Sequence, residues 1–273
     1  KDILLQCGRR ILPALKPDAL PGSIVYYDAT VDDARLVVTL VRTAVAHGAL
    51  AANRTQLVEI LKDGRGRVRA GVVEDLESGK RYTIPTKAII NATGVWTEQT
   101  QALADTTGGL KVLVSKGIHI VVPREKIDSE VGLFLRTEKS VLFIVPHGHT
   151  WIIGTTDTEY ADDLTEPVAD AEDVEYLLEQ ANSVLANPLT KDDVIATFAG
   201  LRPLLQPGTM DGDKTKSTKV SREHTVTEAA PGLTVIAGGK LTSYRQMAED
   251  AVDFVPNYDN QFMQPDVLPA SFP

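Results

Sequence analysis

Ala88-Ile89-Ile90-Asn91-Ala92-Thr93-Gly94-Val95-Trp96 reads as an apolar strand that ends in a small-residue turn and feeds a helix. A glycine-containing turn at the carboxyl end of a strand lets backbone approach a ligand, and open α/β sheets bind cofactors at that edge. Any strand-to-helix junction also needs a compact turn, so this stretch alone leaves ligand binding and plain packing both open. Its counterpart lies near the other end of the chain. Val235-Ile236-Ala237-Gly238-Gly239-Lys240-Leu241-Thr242-Ser243 runs a strand through a Gly-Gly turn into a helix start carrying Lys, Thr and Ser. Free amides and the positive helix end favour an anion there, and Lys240 adds a full charge. The plainer reading is a tight turn with a capping hydroxyl. A lysine in the first helical turn opposes the macrodipole, however, and a negative ligand accounts for it.

Outward from these turns, helix and strand patterns alternate. Thr30 with Asp33 makes a capping-box pattern. Ala34, Val37, Val38, Val41, Ala44 and Val45 share one helical face and Gly48 is a stop, which predicts a helix packed on a sheet. Ahead of it, residues 23–28 have strand composition, and residues 1–22, with Pro13, Pro17 and Pro21, read as a short helix entering a loop. Residues 57–61, 68–76, 81–84 and 88–91 read as strands, separated by turns at Gly64-Arg65-Gly66 and Ser78-Gly79. That is an α/β layout with a β-meander insert. Gly64 and Gly66 do not make a dinucleotide loop, because a third glycine at the required offset and a following helix are both missing.

Residues 111–122, 140–145 and 150–154 are rich in Val and Ile and read as extended chain. Asp170 caps a second helix, with Val174, Leu177, Leu178, Ala181, Val184 and Leu185 as its apolar stripe. Residues 207–219 are polar and read as a surface loop. Residues 233–237 form a short buried strand. A third helix follows, with Leu241, Tyr244, Ala248, Ala251, Val252 and Val255 as its apolar face. The tail from Pro256 has no periodicity and reads as extended or disordered.

At 273 residues and 43% hydrophobic, the chain holds one large or two modest domains with a real core. Its formal charge of −9 makes it a poor partner for nucleic acid, so only local basic clusters would hold a phosphate. Cys7 is the only cysteine, which excludes an internal disulfide, a Cys-x-x-Cys redox pair and a cysteine-rich zinc site. No apolar run approaches the ~20 residues of a bilayer-spanning helix, and no leader pattern opens the chain. These features predict a protein of a reducing compartment.

Three side chains outside the turns stand out. Arg202, in Gly200-Leu201-Arg202-Pro203-Leu204, sits among apolar residues, where a guanidinium needs a buried ion pair or a ligand. Arg222 lies beside Glu223 in a polar stretch. His119, in Ser115-Lys116-Gly117-Ile118-His119-Ile120-Val121-Val122-Pro123, has the apolar flanks of a strand and reads either as a satisfied core residue or as a functional one. No His-x-x-x-His or Glu-x-x-His pattern points to a metal, and no Gly-x-Ser-x-Gly elbow points to a hydrolase.

Taken together these stretches resemble the flavin-dependent glycerol-3-phosphate dehydrogenases, of the same fold group as D-amino-acid oxidase and glycine oxidase. The matching runs are Val31-Asp32-Asp33-Ala34-Arg35, the Asn-Ala-Thr-Gly-Val-Trp run at 91–96, Lys116 to Pro123, Trp151-Ile152-Ile153-Gly154-Thr155-Thr156-Asp157, Gly200 to Leu204, and Gly238-Gly239-Lys240-Leu241-Thr242-Ser243-Tyr244-Arg245. They follow the family order. The family's opening Gly-x-Gly-x-x-Gly loop, its ribose-binding acid and an Arg-Tyr pair have no match, so the chain resembles the carboxyl-side portion of such an enzyme. By itself it is expected to hold the flavin weakly and to be inactive.

The resemblance implies an α/β (α+β) fold in which an FAD/NAD(P)-binding-type domain is interleaved with a mostly antiparallel substrate-binding sheet, as in D-amino-acid oxidase. Residues 26–106 and 226–255 would form the partial FAD domain, residues 1–25 and 107–225 the substrate sheet, and 256–273 a tail. It implies oxidation of glycerol 3-phosphate to dihydroxyacetone phosphate by hydride transfer to FAD, with electrons passed to a quinone. It implies His119 as the catalytic proton acceptor and Arg202, Arg222 and Lys240 as the cationic substrate pocket. Ala92, Thr93, Gly94, Trp96, Gly238, Gly239, Leu241 and Thr242 would contact FAD. A cytoplasmic location, peripheral contact with the inner face of the cell membrane and a homodimer go with the same resemblance. Two alternatives remain: an oxidase delivering electrons to oxygen, and a flavin-free fragment that only binds ligand.

Overall fold

The computed structural model describes residues 11–19, 24–106, 108–137, 141–206 and 223–255. In chain order the elements are α1 (Asp33–Ala46), β1 (Thr55–Lys62), β2 (Val68–Asp75), β3 (Arg81–Pro85), β4 (Ile89–Asn91), α2 (Thr97–Ala102), β5 (Val112–Pro123), β6 (Leu133–Arg136), β7 (Val141–His147) and β8 (Thr150–Gly154). Then come β9 (Thr158–Glu159), α3 (Ala171–Asn182), β10 (Ala196–Leu205), β11 (His224–Ala230), β12 (Leu233–Gly238) and α4 (Tyr244–Phe254). They fall into two compact units. Among the described residues, one comprises those within 11–55 and 113–204, and the other those within 56–112, 205–206 and 223–255.

The first unit is built on a sheet of order β10-β5-β8-β7-β6, with β9 pairing β5. β5 and β8 run antiparallel, Ile120 opposite Ile153 and Val122 opposite Trp151. Alternation does the sorting. Ile118, Ile120 and Val122 are buried on one face of β5, with Leu142, Ile144, Trp151 and Ile153 from β7 and β8. α3 covers that face, and its predicted stripe is confirmed: Leu177, Leu178 and Ala181 are buried, with Leu185 just beyond, while Val174 and Val184 pack at the margin. Each such fully buried aliphatic side chain contributes about 1.5–3 kcal/mol. The Asp170 cap is also confirmed. Its carboxylate accepts from the Asp173 N–H at 2.9 Å, and the Asp173 carboxylate accepts from the Asp170 N–H at 3.4 Å.

The second unit has a β1-β2-β3 meander and a β11-β12-β4 sheet. Both are stitched by Ile60, Val68, Ala104, Leu110, Leu233 and Val235. β11 is antiparallel to β12, whereas β4 is parallel to it, with Leu233 opposite Ile89 and Val235 opposite Asn91.

Several expectations are corrected. Residues 24–30 form no strand, and Ile24 and Tyr27 are exposed. β-prone composition becomes a strand only where a neighbouring edge supplies hydrogen bonds. Here Tyr26 instead stacks on Phe134, ring centroids 5.8 Å apart. α1 starts at Asp33, not Thr30, because the Asp32 carboxylate takes the N-cap and accepts from the Arg35 N–H at 3.0 Å. A carboxylate caps as a hydroxyl does and also complements the helix dipole. No residue of α1 is buried, and Val37, Val38, Val41 and Val45 are half-exposed, so nothing among the described residues covers the predicted face.

α4 likewise buries only Ala251, with Leu241 lying ahead of it in a single 3₁₀ turn. β6, β9, β10 and β11 were not foreseen. In β10, Gly200 and Pro203 hide the strand pattern, and Pro203 is tolerated because β10 is the sheet edge, where a missing N–H breaks no ladder. Cys7, Arg222, the loop at 207–219 and the tail from Pro256 lie outside the described residues.

Candidate active site

The sheet of the first unit has a second face, and period 2 decides what stands on it. With Ile118 and Ile120 turned toward α3, Gly117 and His119 turn the other way, and Gly154 lies opposite His119 across the β5–β8 ladder. Phe198 and Arg202 come from the neighbouring edge strand β10. The His119 and Phe198 rings stack at 4.8 Å between centroids and 11° between planes. Two glycines make room for the larger groups. A Cβ at Gly154 would lie 2.2 Å from His119 Cδ2, and one at Gly117 would lie 2.1 Å from Arg202 Nη2. The imidazole and the guanidinium therefore rest directly on bare backbone, and no other residue type leaves that space.

Arg202 is tethered as well. Its Nη2 donates to Thr155 Oγ1 at 2.8 Å, and its Nη1 lies 3.8 Å from Asp157 Oδ1. Asp157 is only 8% exposed and also accepts a hydrogen bond from the Ser115 hydroxyl. Burial, and after it the positive charge of Arg202, pushes the His119 imidazole down to about 4. At neutral pH the face thus presents a neutral imidazole, able to accept a proton, beside a permanent cation.

Lys116 is placed differently although it is in the same run. It turns to the α3 side, 2.7 Å from Asp173 and 2.9 Å from Asp170. Burial works to lower its ammonium, but the two carboxylates, Asp173 foremost, outweigh it and hold the lysine above its ordinary range. It is a structural cation. The cleft of about 350 Å³ at that end of the sheet runs from Asp157 to Tyr176 and is lined by carboxylates that include Glu159, Asp162 and Glu172. Such a lining repels phosphate, so the anion-compatible surface is the one at Arg202.

In the second unit the parallel pairing of β4 and β12 brings both carboxyl ends to one edge, which is where α/β folds hold cofactors. After β4, buried Asn91 secures the turn: its Nδ2 donates to the Thr97 carbonyl at 3.0 Å and its Oδ1 accepts from the Thr93 hydroxyl at 2.7 Å. Ala92 and Thr93 are exposed, Gly94 is half-buried, and Trp96 is 42% exposed. After β12, Gly238 and Gly239 have φ of 82° and 75°, so the turn needs glycine. Leu241 and Thr242 are exposed. Small residues with accessible backbone, flanked by exposed Trp96 and Leu241, fit a flat ring system such as a flavin.

Lys240 requires a correction. It is extended, at φ −143° and ψ 156°, and stands one 3₁₀ turn ahead of α4 instead of in its first turn. Ser243 provides the capping, accepting from the Lys240 N–H at 3.3 Å and donating to the Lys240 carbonyl at 3.0 Å. Lys240 therefore does not oppose the dipole of α4 from its first turn, and its side chain is an exposed ammonium beside the glycine turn.

Of the residues named from sequence, His119 and Arg202 meet on one face of the first unit. Ala92, Thr93, Gly94, Trp96, Gly238, Gly239, Lys240, Leu241 and Thr242 flank one sheet edge of the second. Sequence reasoning missed Phe198, Gly117, Gly154, Thr155 and Asp157 as shapers of the first face, and Asn91 as the anchor of the turn. Asn91 carried a signal, since a polar residue closing an apolar strand is poised to hydrogen-bond the turn after it.

The fold and these two sites define a class. The chain matches the FAD-dependent oxidoreductase family over residues 5–245 and belongs to it. Within that family it is similar to glycerol-3-phosphate dehydrogenases. It is 48% identical over 251 residues to that of Mycobacterium leprae, covering 90% of this chain and 42% of that protein. It is 34% identical over 246 residues to the aerobic glycerol-3-phosphate dehydrogenase of Staphylococcus haemolyticus, covering 89% and 43%. Among solved structures, the glycerol-3-phosphate dehydrogenase of Bacillus halodurans complexed with FAD superposes with a TM-score of 0.81 at 33% identity, covering 92% of this chain and 48% of that one. The L-α-glycerophosphate oxidase of Mycoplasma pneumoniae, at 16% identity and a TM-score of 0.68, shares the fold. The chain spans less than half the length of these glycerol-3-phosphate dehydrogenases.

Proposed function

We propose that the protein to which this chain corresponds oxidises glycerol 3-phosphate to dihydroxyacetone phosphate, with FAD held at the β4–β12 edge and a quinone as final acceptor. The observation that carries this reading is the juxtaposition on one sheet face of neutral His119 and cationic Arg202, the two groups a phosphorylated alcohol calls for. Arg202 donates charge-assisted hydrogen bonds to the phosphate. His119 takes the proton of the alcohol oxygen as the carbinol carbon loses its hydride. A phosphate at Arg202 offsets the positive field that depresses His119, so substrate strengthens its own base. Lys240, exposed beside the glycine turn, and Arg222, outside the described residues, carry the remaining positive charge that the family resemblance assigns to the substrate. FAD, when bound, supplies the hydride acceptor. Ala92, Thr93, Gly94, Trp96, Gly238, Gly239, Leu241 and Thr242 hold it by backbone approach and ring contact.

The similarity at 33–48% identity to proteins named as dehydrogenases favours a quinone over oxygen as acceptor. A quinone resides in a membrane, so the proposal includes peripheral contact with the inner membrane face from the cytoplasm. In this proposal the 273 residues alone bind flavin weakly and do not turn over. The test is spectroscopic. The full-length protein is expected to be yellow and to bleach anaerobically on adding glycerol 3-phosphate, then to recolour faster with quinone than with oxygen. A protein that carries flavin yet does not bleach overturns the substrate assignment, and faster recolouring by oxygen overturns the acceptor.

A further inference from the structure

We propose that Phe198 is a positioning residue for His119, its ring clamping the imidazole against the Gly154 backbone on the open face of the sheet. The inference rests on the reading of His119 as proton acceptor and deepens it.

Phe198 stands on edge strand β10, four residues before Arg202 and so on the same side of the strand. It is 47% exposed and takes no part in the buried core, although its neighbour Ala199 packs against that core. A half-exposed phenylalanine on a sheet edge contributes little to folding by burial. What it does touch is His119. The two rings lie nearly parallel at 4.8 Å, within the range of offset aromatic stacking. On the other side the imidazole edge meets Gly154, where a Cβ would stand 2.2 Å from Cδ2. The ring thus has a wall on either side.

A histidine that must accept a proton at one nitrogen is commonly oriented by a hydrogen bond at the other. Among the described residues no hydrogen bond reaches either ring nitrogen of His119, so orientation falls to packing. Burial is the chief reason the ring stays neutral, and Phe198, stacked on one face of the imidazole, is among the groups that cover it. The charged group acting on the ring is Arg202, from β10. β8 offers it only the Gly154 backbone, and on its own strand Gly117 stands two residues away. Removing Phe198 therefore changes solvent access to His119 without removing a charge.

The experiment compares wild type with Phe198→Leu, Phe198→Met and Phe198→Tyr in the flavin-loaded full-length protein. His119 is followed by its imidazole resonances, assigned through His119→Gln, and the pH profile of kcat/KM is measured for glycerol 3-phosphate. Phe198→Leu and Phe198→Met are expected to raise the His119 titration by about one pH unit or more. The acid limb of the profile should move up with it, and Phe198→Tyr, which keeps the stacking face, should restore both. If both aliphatic variants leave titration and limb where they are in wild type, or if Tyr behaves as Leu does, the positioning role is overturned. Should one aliphatic variant fail to fold, the other and the Tyr variant still decide. A wild-type protein that never reduces flavin with glycerol 3-phosphate defeats the substrate reading, while the resonance titration still judges Phe198.

Discussion

Arg202 and His119 make opposite demands on the same patch of sheet, one a permanent cation and the other neutral because it is buried next to that cation. Removing the guanidinium takes away charge-assisted hydrogen bonds worth about 1.5–3 kcal/mol. Arg202→Ala in the full-length enzyme should therefore lower kcat/KM for glycerol 3-phosphate about 10- to 150-fold, with free glycerol affected far less. Because the change also strands the buried Asp157 carboxylate, the double variant Arg202→Ala/Asp157→Asn belongs in the comparison. If both substrates suffer equally in the double variant too, Arg202 serves folding instead. His119 carries its own signature in stability. It titrates near 4 in the folded chain and near 6.5 when unfolded, so the unfolded state takes the proton first and stability falls as pH drops through that window. The loss amounts to about 2 kcal/mol between pH 7 and pH 5. Denaturation midpoints of His119→Gln should show a correspondingly flatter acid dependence than wild type, and identical slopes would contradict the burial of a neutral ring.

At the scale of elements, α3 shows how a cap and a buried charge share residues. Asp170 caps the helix from a largely exposed position, whereas Asp173 is 6% exposed and faces Lys116, itself 9% exposed. Asp170→Ala should cost about 0.5–2 kcal/mol, the ordinary value of a lost N-cap. Asp173→Ala leaves a buried ammonium held by the largely exposed Asp170 and the Val168 carbonyl and should cost more, about 3–5 kcal/mol. Urea denaturation of the two variants checks the order, and equal losses would show that the cap is the larger contribution. This helix was legible in sequence because cap, stripe and period all agree. α1 was legible too, apart from its start, but the partner of its valine face was not, since a stripe states that a face is apolar and not what meets it. β10 was illegible. A proline and a glycine break its pattern, and only its place at the sheet edge makes them acceptable.

At the scale of the whole molecule, the two units are built on separate cores, and each carries one of the two tryptophans. Trp151 is 1% exposed within the first core, while Trp96 stands half-exposed at the β4 edge of the second unit. If FAD sits at that edge, titrating it into the full-length protein should quench a component of the tryptophan emission that the Trp96→Phe variant lacks. Trp96→Ala should weaken flavin retention by an amount typical of one aromatic contact, about 0.5–1.5 kcal/mol. Unchanged flavin retention in Trp96→Ala would remove Trp96 from the cofactor site.

Composition by itself settled the single cysteine, the acidic balance and the lack of a spanning apolar run. Local pattern settled the two strand-to-turn edges and the amphipathic helices, because each depends on neighbours within a few residues. The convergence of Gly117, His119, Gly154, Phe198 and Arg202 was decided only by tertiary structure. These residues come from three strands, β5, β8 and β10, and which face each turns to depends on register, where a slip of one residue would send His119 to the core and Ile120 to the open face. Register is a property of paired strands, so no single strand's sequence contains it.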